Sequence, residues 1–239
     1  MTLLAIETST RQLGIAVSDG TQVLAAYEVL GDYPHALELP GAVSRVLKES
    51  RATLGSLEAI VVDIGPGSFT GCRIGVAFVK ALVAARKTPL IGIASLDVLA
   101  AQVPAATVPV YPVLDARQGN VYLAKYQVQG AHAARQSDYL LGPIETVLAE
   151  SSQPALFLGD GAAKFQQQII ARVPKAVFLP AELGIPRAPT LARLGAERLQ
   201  KRQVDDPARL TPLYLYPMDC SVRSPERTTS VIPKPVAAV

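Results

Sequence analysis

The chain has 239 residues, 23 basic and 20 acidic side chains for a net charge of +3, and 49% apolar residues. That length fits one large domain or two small ones around a sizeable core. The charge is too even to argue for strong autonomous grip on nucleic acid, which needs a concentrated basic face. Two cysteines, Cys72 and Cys220, supply neither a disulfide framework nor the paired ligands of a zinc site. The opening MTLLAIETST has no basic flank before its apolar run and does not read as a signal peptide. The longest apolar stretch is broken by Arg73, Lys80 and Arg86, so it lacks the roughly 18 uninterrupted apolar residues of a membrane span. A soluble cytoplasmic protein is expected, with no membrane partner.

Residues 3–7 form a short apolar run ending on Glu7 and predict a buried strand. Residues 14–18 and 23–27, separated by Asp19-Gly20, predict two more strands, so the chain opens on a meander. Apolar residues at Ala36, Leu39, Val43, Val46 and Leu47 have helical spacing, with Pro40 expected to kink that helix or start its main part. A strand is expected over 57–64, and Gly65, Pro66 and Gly67 break it. Ser68 is placed to cap a helix running to Arg86. That helix is apolar on most sides, which implies a central position or cover from a partner. A strand over 90–93 and a short helix capped by Ser95 and ending at Ala101 follow.

Residues 103–109, rich in Pro, Ala and Thr, mark a domain boundary. Beyond it, two β-rich runs flank Arg117-Gln118-Gly119-Asn120 and predict a hairpin. A strand over 155–158, a Gly-Asp-Gly turn, a helix near 163–172 and a strand over 176–179 complete the second unit. Thr190 is expected to cap a last helix, 191–202, that returns to the first unit. The expected domains are therefore 1–103 plus 190–216, a smaller lobe 104–189, and a mobile tail 217–239. The two β-then-α halves hint at a duplicated topology.

Four segments, in order, carry a resemblance: LLAIETSTRQLGIAVSDG, VDIGPGSFTGCRIGVAFVKAL, LDARQGNVYLAKY and LTPLYLYP. The first resembles the opening hairpin of the actin, sugar kinase and Hsp70 superfamily, and all four together resemble the TsaB (YeaZ) family over about residues 1–216. The resemblance implies a two-lobed actin-like α/β fold, mixed sheets flanked by helices, with the second lobe smaller. It implies an accessory, non-catalytic subunit that pairs with its catalytic paralogue TsaD. The ATPase TsaE joins that complex, which transfers a threonylcarbamoyl group to the adenine beside the anticodon of ANN-decoding tRNAs. ATP and metal are expected in the partner subunits and not in this chain, and tRNA is reached through the complex.

Several of these residues also offer chemistry of their own. Thr8, Ser9 and Thr10 offer hydroxyls and amides at a turn, which suits either an anion or a tight hairpin. Gly65, Gly67 and Ser68 allow close backbone approach and free helix amides, so a vestigial phosphate loop and a purely structural turn both stand; no lysine follows as in a P-loop. Glu7 stands where phosphate-transferring relatives place an aspartate, and its longer side chain counts against metal or water positioning there.

The catalytic paralogue holds a metal with a His-x-x-x-His pair on its early helix, whereas His35 is followed four residues later by Leu39. With His132 in a polar stretch, neither a two-histidine nor a Cys/His site can be assembled. Ser9 and Ser68 lack the strand, G-x-S-x-G and helix context of a hydrolase nucleophile. A stand-alone phosphotransferase or peptidase of the same superfamily is the alternative reading. Asp63, Asp115 and Asp160 are strand-end acids of turn or cap type, and Cys72 reads as a small buried hydrophobe. Arg193, Arg198, Lys201 and Arg202 load the last helix with charge that complements its dipole, leaving tRNA contact and a solvated face both open.

Family members pair with TsaD through their first two helices. The resemblance therefore puts His35, Leu39, Val43, Arg73, Val76, Val79, Lys80 and Val83 at the partner surface. Two copies of the chain could form the same bundle, in competition with TsaD. Cover by the last helix of the same chain is the alternative.

Overall fold

The computed structural model describes residues 1–31 and 35–216, together with the backbone of 230–232. The chain divides into one unit of Met1–Val98 and Pro186–Leu213 and another of Leu99–Ile185 and Tyr214–Val239.

In the first unit, β1 (Leu3–Glu7), β2 (Gln12–Ser18) and β3 (Val23–Leu30) form the antiparallel meander. After α1 (His35–Glu49), β4 (Ala59–Asp63) joins β1 in parallel. After α2 (Phe69–Arg86), β5 (Leu90–Ile93) joins β4 in parallel, completing the order β3-β2-β1-β4-β5. Strands β1, β4 and β5 are buried along their whole length. Their sequences are accordingly continuous apolar runs without a period-2 alternation.

Helices α1 and α2 cover one face of this sheet. Leu39, Val43 and Val46 of α1 and Val76, Val79 and Val83 of α2 join Leu4, Ile6, Ile15 and Val62 in one core cluster. Complete burial of each such side chain stabilises by about 1.5–3 kcal/mol. The other face is covered by α7 (Ala188–Gln200), which brings Ala188, Leu191, Ala192 and Ala196 onto Ala5, Val61 and Ile91. Small residues on α7 let it lie close to the strands, and Arg187 at its start forms a two-armed ion pair with Glu28 on β3.

α3 (Ser95–Ala101) begins in the first unit and ends in the second, where β6 (Val110–Arg117) and β7 (Asn120–Leu123) form the expected hairpin. The strands β8 (Tyr126–Gln129) and β9 (His132–Arg135) branch from β6, and β10 (Tyr139–Pro143) pairs with β7. Past α4 (Ile144–Val147), β11 (Ala155–Leu158) lies parallel to β6; past α5 (Asp160–Lys164) and α6 (Gln166–Arg172), β12 (Ala176–Phe178) lies parallel to β11. The path β10-β7-β6-β11-β12 repeats the order and sense of β3-β2-β1-β4-β5. The hinted duplication is thus a repeated sheet topology. The backbone of β13 (Ser230–Ile232) pairs with β10; the rest of the expected tail lies outside the described residues.

Three local expectations need correction. Pro40 neither starts nor interrupts α1, which runs from His35 through it with the ring on the exposed face. Ser95 is the first residue of α3, and its hydroxyl goes to Asp63. Thr190 lies inside α7, which begins at Ala188; Pro189 fits there because first-turn amides have no helical acceptor.

Candidate functional site: two strand-end carboxyls and the turns they hold

Strands β1 and β4 run parallel with Ile6 opposite Val62, so the next residue of each, Glu7 and Asp63, ends its strand beside the other. Both are completely buried. Glu7 Oε1 accepts from the Ser9 amide at 2.7 Å and the Ser9 hydroxyl at 2.6 Å. Asp63 Oδ1 accepts from the Gly65 amide at 2.7 Å and the Ser95 hydroxyl at 2.6 Å. Each carboxyl thus closes the turn two residues beyond it and takes one serine. Their remaining oxygens, Glu7 Oε2 and Asp63 Oδ2, are buried with no other donor. The two carboxyls are within hydrogen-bonding reach of each other. Burial first, then the charge of Asp63, holds Glu7 well above the usual carboxylate range. Burial also raises Asp63, against the hydrogen bonds it accepts. One proton held on Glu7 and donated to Asp63 satisfies both oxygens, since two bare carboxylates cannot share such a space.

The two turns also grip each other. The Ser68 amide donates to Ser9 O at 2.7 Å, and the Thr8 hydroxyl to Gly71 O at 2.9 Å. Ser68 is the N-cap of α2, accepting from the Gly71 amide, as the sequence predicts. A Cβ at Gly67 would overlap Ser9 O, and one at Gly75 would overlap Thr8 Oγ1. The structure therefore brings Thr8, Ser9, Thr10, Gly65, Gly67 and Ser68 together. Thr8 and Ser9 are buried, and the amides of Ser9, Gly65, Ser68 and Gly71 all point to acceptors inside the protein.

His35, the first residue of α1, is buried, and its Nε2–H donates to Thr10 O at 2.8 Å. It fastens the same turn from the other side. Cys72 lies behind Gly65, and burial, then the charge of Asp63, pushes its thiol up, away from thiolate chemistry. His132 is exposed on β9. Among the described residues, no three His, Cys, Asp or Glu side chains are grouped to hold a metal ion.

The second unit shows the same device with different compensation. Asp115 accepts from the Arg117 amide two residues on, at 3.0 Å. Its amide donates to Asp160 at 2.9 Å. Lys164 Nζ at 2.9 Å and the Arg117 guanidinium at 3.5 Å balance the Asp115 charge, and burial raises Asp160. Here cations do what a shared proton does between Glu7 and Asp63.

The expected partner surface is corrected by burial. Leu39, Val43, Val76, Val79 and Val83 are at most 4% exposed, and His35 is 1% exposed. These side chains make the chain's own core. Lys80 is half-buried and donates to Leu210 O at 3.1 Å. Arg73 alone of the eight is on the surface, stacked over Phe69. The outward apolar stripe of α2 is instead Ile74, Phe78 and Leu82, half-buried, with Ala77 and Ala81 exposed between them. Leu37 on α1 is 92% exposed.

A meander of three strands extended by parallel strands, built twice, with turns closing on strand-end acids, defines an actin-like α/β protein. The sequence model of the family described as TsaD: tRNA N6-adenosine threonylcarbamoyltransferase matches residues 32–217. The tRNA threonylcarbamoyladenosine biosynthesis protein TsaB of Bacillus subtilis is 33% identical over 90% of this chain and 94% of its own. The protein of that name from Escherichia coli is 36% identical over 53% of this chain and 55% of its own. The solved structure of YeaZ from Pseudomonas aeruginosa superposes with a TM-score of 0.79 at 27% identity, covering 90% of this chain and 99% of the other. The chain belongs to the TsaB family. Among the described residues, no helix is long and apolar enough to cross a membrane.

Proposed function

We propose that this chain is a non-catalytic subunit in the biosynthesis of threonylcarbamoyladenosine on tRNA, paired with the catalytic subunit TsaD. The observation that carries the reading is its relationship, across nine-tenths of its length, to a protein named for that pathway. The inward-turned loop supports it. Amides that could hold a phosphate are engaged by Glu7, Asp63, Ser9 and Ser68, so this turn serves stability. In this reading ATP and metal are handled by TsaD and by TsaE, a third, ATP-hydrolysing subunit, in the cytoplasm.

The partner docks on the outer faces of α1 and α2. Leu37, Gly41, Ala77 and Ala81 are exposed there beside half-buried Ile74 and Phe78, an apolar patch of the kind that marks an interaction site. Small residues at three of these positions, Gly41, Ala77 and Ala81, let a partner's helices approach closely enough for a mixed bundle. A second copy of this chain would use the same face, so self-association and TsaD binding compete. Reconstitution of tRNA modification with purified TsaD and TsaE, supplied with threonylcarbamoyl-adenylate as the group donor, tests the reading. Product should depend on adding this chain, and the chain alone should neither modify tRNA nor hydrolyse ATP at an enzyme's rate.

A further inference from the structure

The helices α1, α2 and α7 of the first unit finish at one edge of its sheet, and each finishes on a basic residue in left-handed backbone. These are Arg51 (φ 57), Lys87 (φ 56) and Arg202 (φ 56). The shared edge follows from the topology. β4 and β5 run parallel to β1, so the segments leading from α1 and α2 into them meet where β1 begins. The chain leaving α7 comes to the same place, with the Asp205 amide on Leu90 O at 2.8 Å. Met1, Gly55, Arg86, Lys87 and Leu199 wall one cavity of about 660 Å³ there.

Glycine is the residue that ends a helix in this conformation without steric cost. Arg or Lys at all three ends accepts that strain and gains charge. Each of the three also has a basic neighbour within three residues, Lys48, Arg86 and Lys201, and all six side chains are exposed. None of the six forms an ion pair or side-chain hydrogen bond among the described residues. The nearby acids are engaged elsewhere: Glu58 by the Met1 ammonium and the Thr2 amide, Glu49 by Arg45, Asp205 by Arg198 and the Gly92 amide. A helix end carries about half a negative charge, so one cation would balance each. Two at each end leave the edge strongly positive in a chain of net charge +3.

We propose that this edge docks the phosphate backbone of RNA, giving the chain a direct contact with tRNA. The identity of the RNA rests on the functional reading above. The charge is spread over three separate helix ends and includes arginines that can fork onto phosphate oxygens. That distribution fits a strand of regularly spaced phosphates better than a single compact anion.

The test is binding of the full chain to fluorescently labelled tRNA between about 50 and 200 mM salt, where counterion release dominates. The triple variant R51G/K87G/R202G removes three charges and keeps backbone that tolerates left-handed φ. A control variant, K125A/K175A, removes two exposed charges of the second unit. The triple variant should bind at least about tenfold more weakly, with a log K against log salt slope shallower by about 3. Its melting temperature should be unchanged or higher, and the control should bind as the natural chain does. Equal binding by natural chain and triple variant, or no salt-dependent binding by the natural chain, overturns the proposal and leaves helix capping as the whole role. A parallel titration with TsaD separates the two readings. Intact pairing alongside unaffected tRNA binding removes the RNA edge alone, whereas lost pairing alongside charge-dependent tRNA binding removes the accessory-subunit reading alone.

Discussion

Glu7 and Asp63 end neighbouring parallel strands, both completely buried, each with one carboxyl oxygen that has no donor, an arrangement that a single proton on Glu7 would satisfy. Through their other oxygens they hold the Ser9 and Gly65 turns and the first residue of α3. The pair thus links the meander, the parallel strands and the first two turns of the unit in one hydrogen-bonded assembly. An ionised pair would repel, and an unpaired one would leave buried oxygens without donors, at about 1–3 kcal/mol each.

The sign of the pH dependence follows. The folded chain keeps on Glu7 a proton that the unfolded chain releases above about pH 4.3. Stability from this group is fully present below that value and is lost as pH rises through the folded-state pKa. In Glu7→Gln the amide nitrogen replaces the proton as donor to Asp63, and the carbonyl still accepts from Ser9. Urea denaturation at several pH values should show the natural chain losing stability relative to Glu7→Gln as pH rises. Asp63→Ala should be destabilised at every pH, because the Gly65 amide and Ser95 hydroxyl lose their acceptor. A gap between natural chain and Glu7→Gln that does not change with pH would mean no shared proton.

The contact of Gly75 with Thr8 gives a coupled pair. Gly75→Ala puts a methyl into Thr8 Oγ1 and should cost about 1–3 kcal/mol as overpacking. Thr8→Ala loses the hydrogen bond to Gly71 O, about 1 kcal/mol. The double variant should be more stable than the sum of the two losses allows, since the second change removes what the first one strikes. Additive losses in thermal or chemical denaturation would show that the clash is relieved elsewhere.

Inward and outward faces of α2 should separate folding from pairing. Val79 is completely buried. Val79→Asp buries a carboxylate with no partner, costing several kcal/mol of a total near 5–15 kcal/mol, and should give little folded protein. Ala77, two residues earlier, is exposed. Ala77→Glu should keep the far-UV spectrum and melting temperature while weakening both self-association and TsaD binding. Tight TsaD binding by a folded Ala77→Glu variant would move the docking surface elsewhere.

The strands and helices of the first unit were legible because β1, β4 and β5 are uninterrupted apolar runs and Ser68 stands at a clear helix start. Helix ends were less so. The Thr190 hydroxyl looked like a cap, but Pro189 and Ala188 already fit the first turn of α7. On α2 both apolar stripes were visible, yet periodicity alone does not say which one faces the sheet. Val76, Val79 and Val83 face inward, and the Ile74, Phe78 and Leu82 stripe lies half-buried with Ala77 and Ala81 exposed. The Glu7–Asp63 pair had a local signal, an acid closing each of two apolar runs. The missing information was strand register: nothing in one sequence aligns Ile6 with Val62. The basic edge was hidden by composition, because a net charge of +3 averages over positions that only the topology brings together.

The measurement that bears most directly on the accessory-subunit account is a calorimetric titration of this chain into TsaD from the same organism. The account predicts a saturable complex of one chain per TsaD, formed with release of any self-associated chain and weakened by Ala77→Glu. Absence of heat and of a co-migrating complex at micromolar concentrations, with both proteins folded, would contradict it.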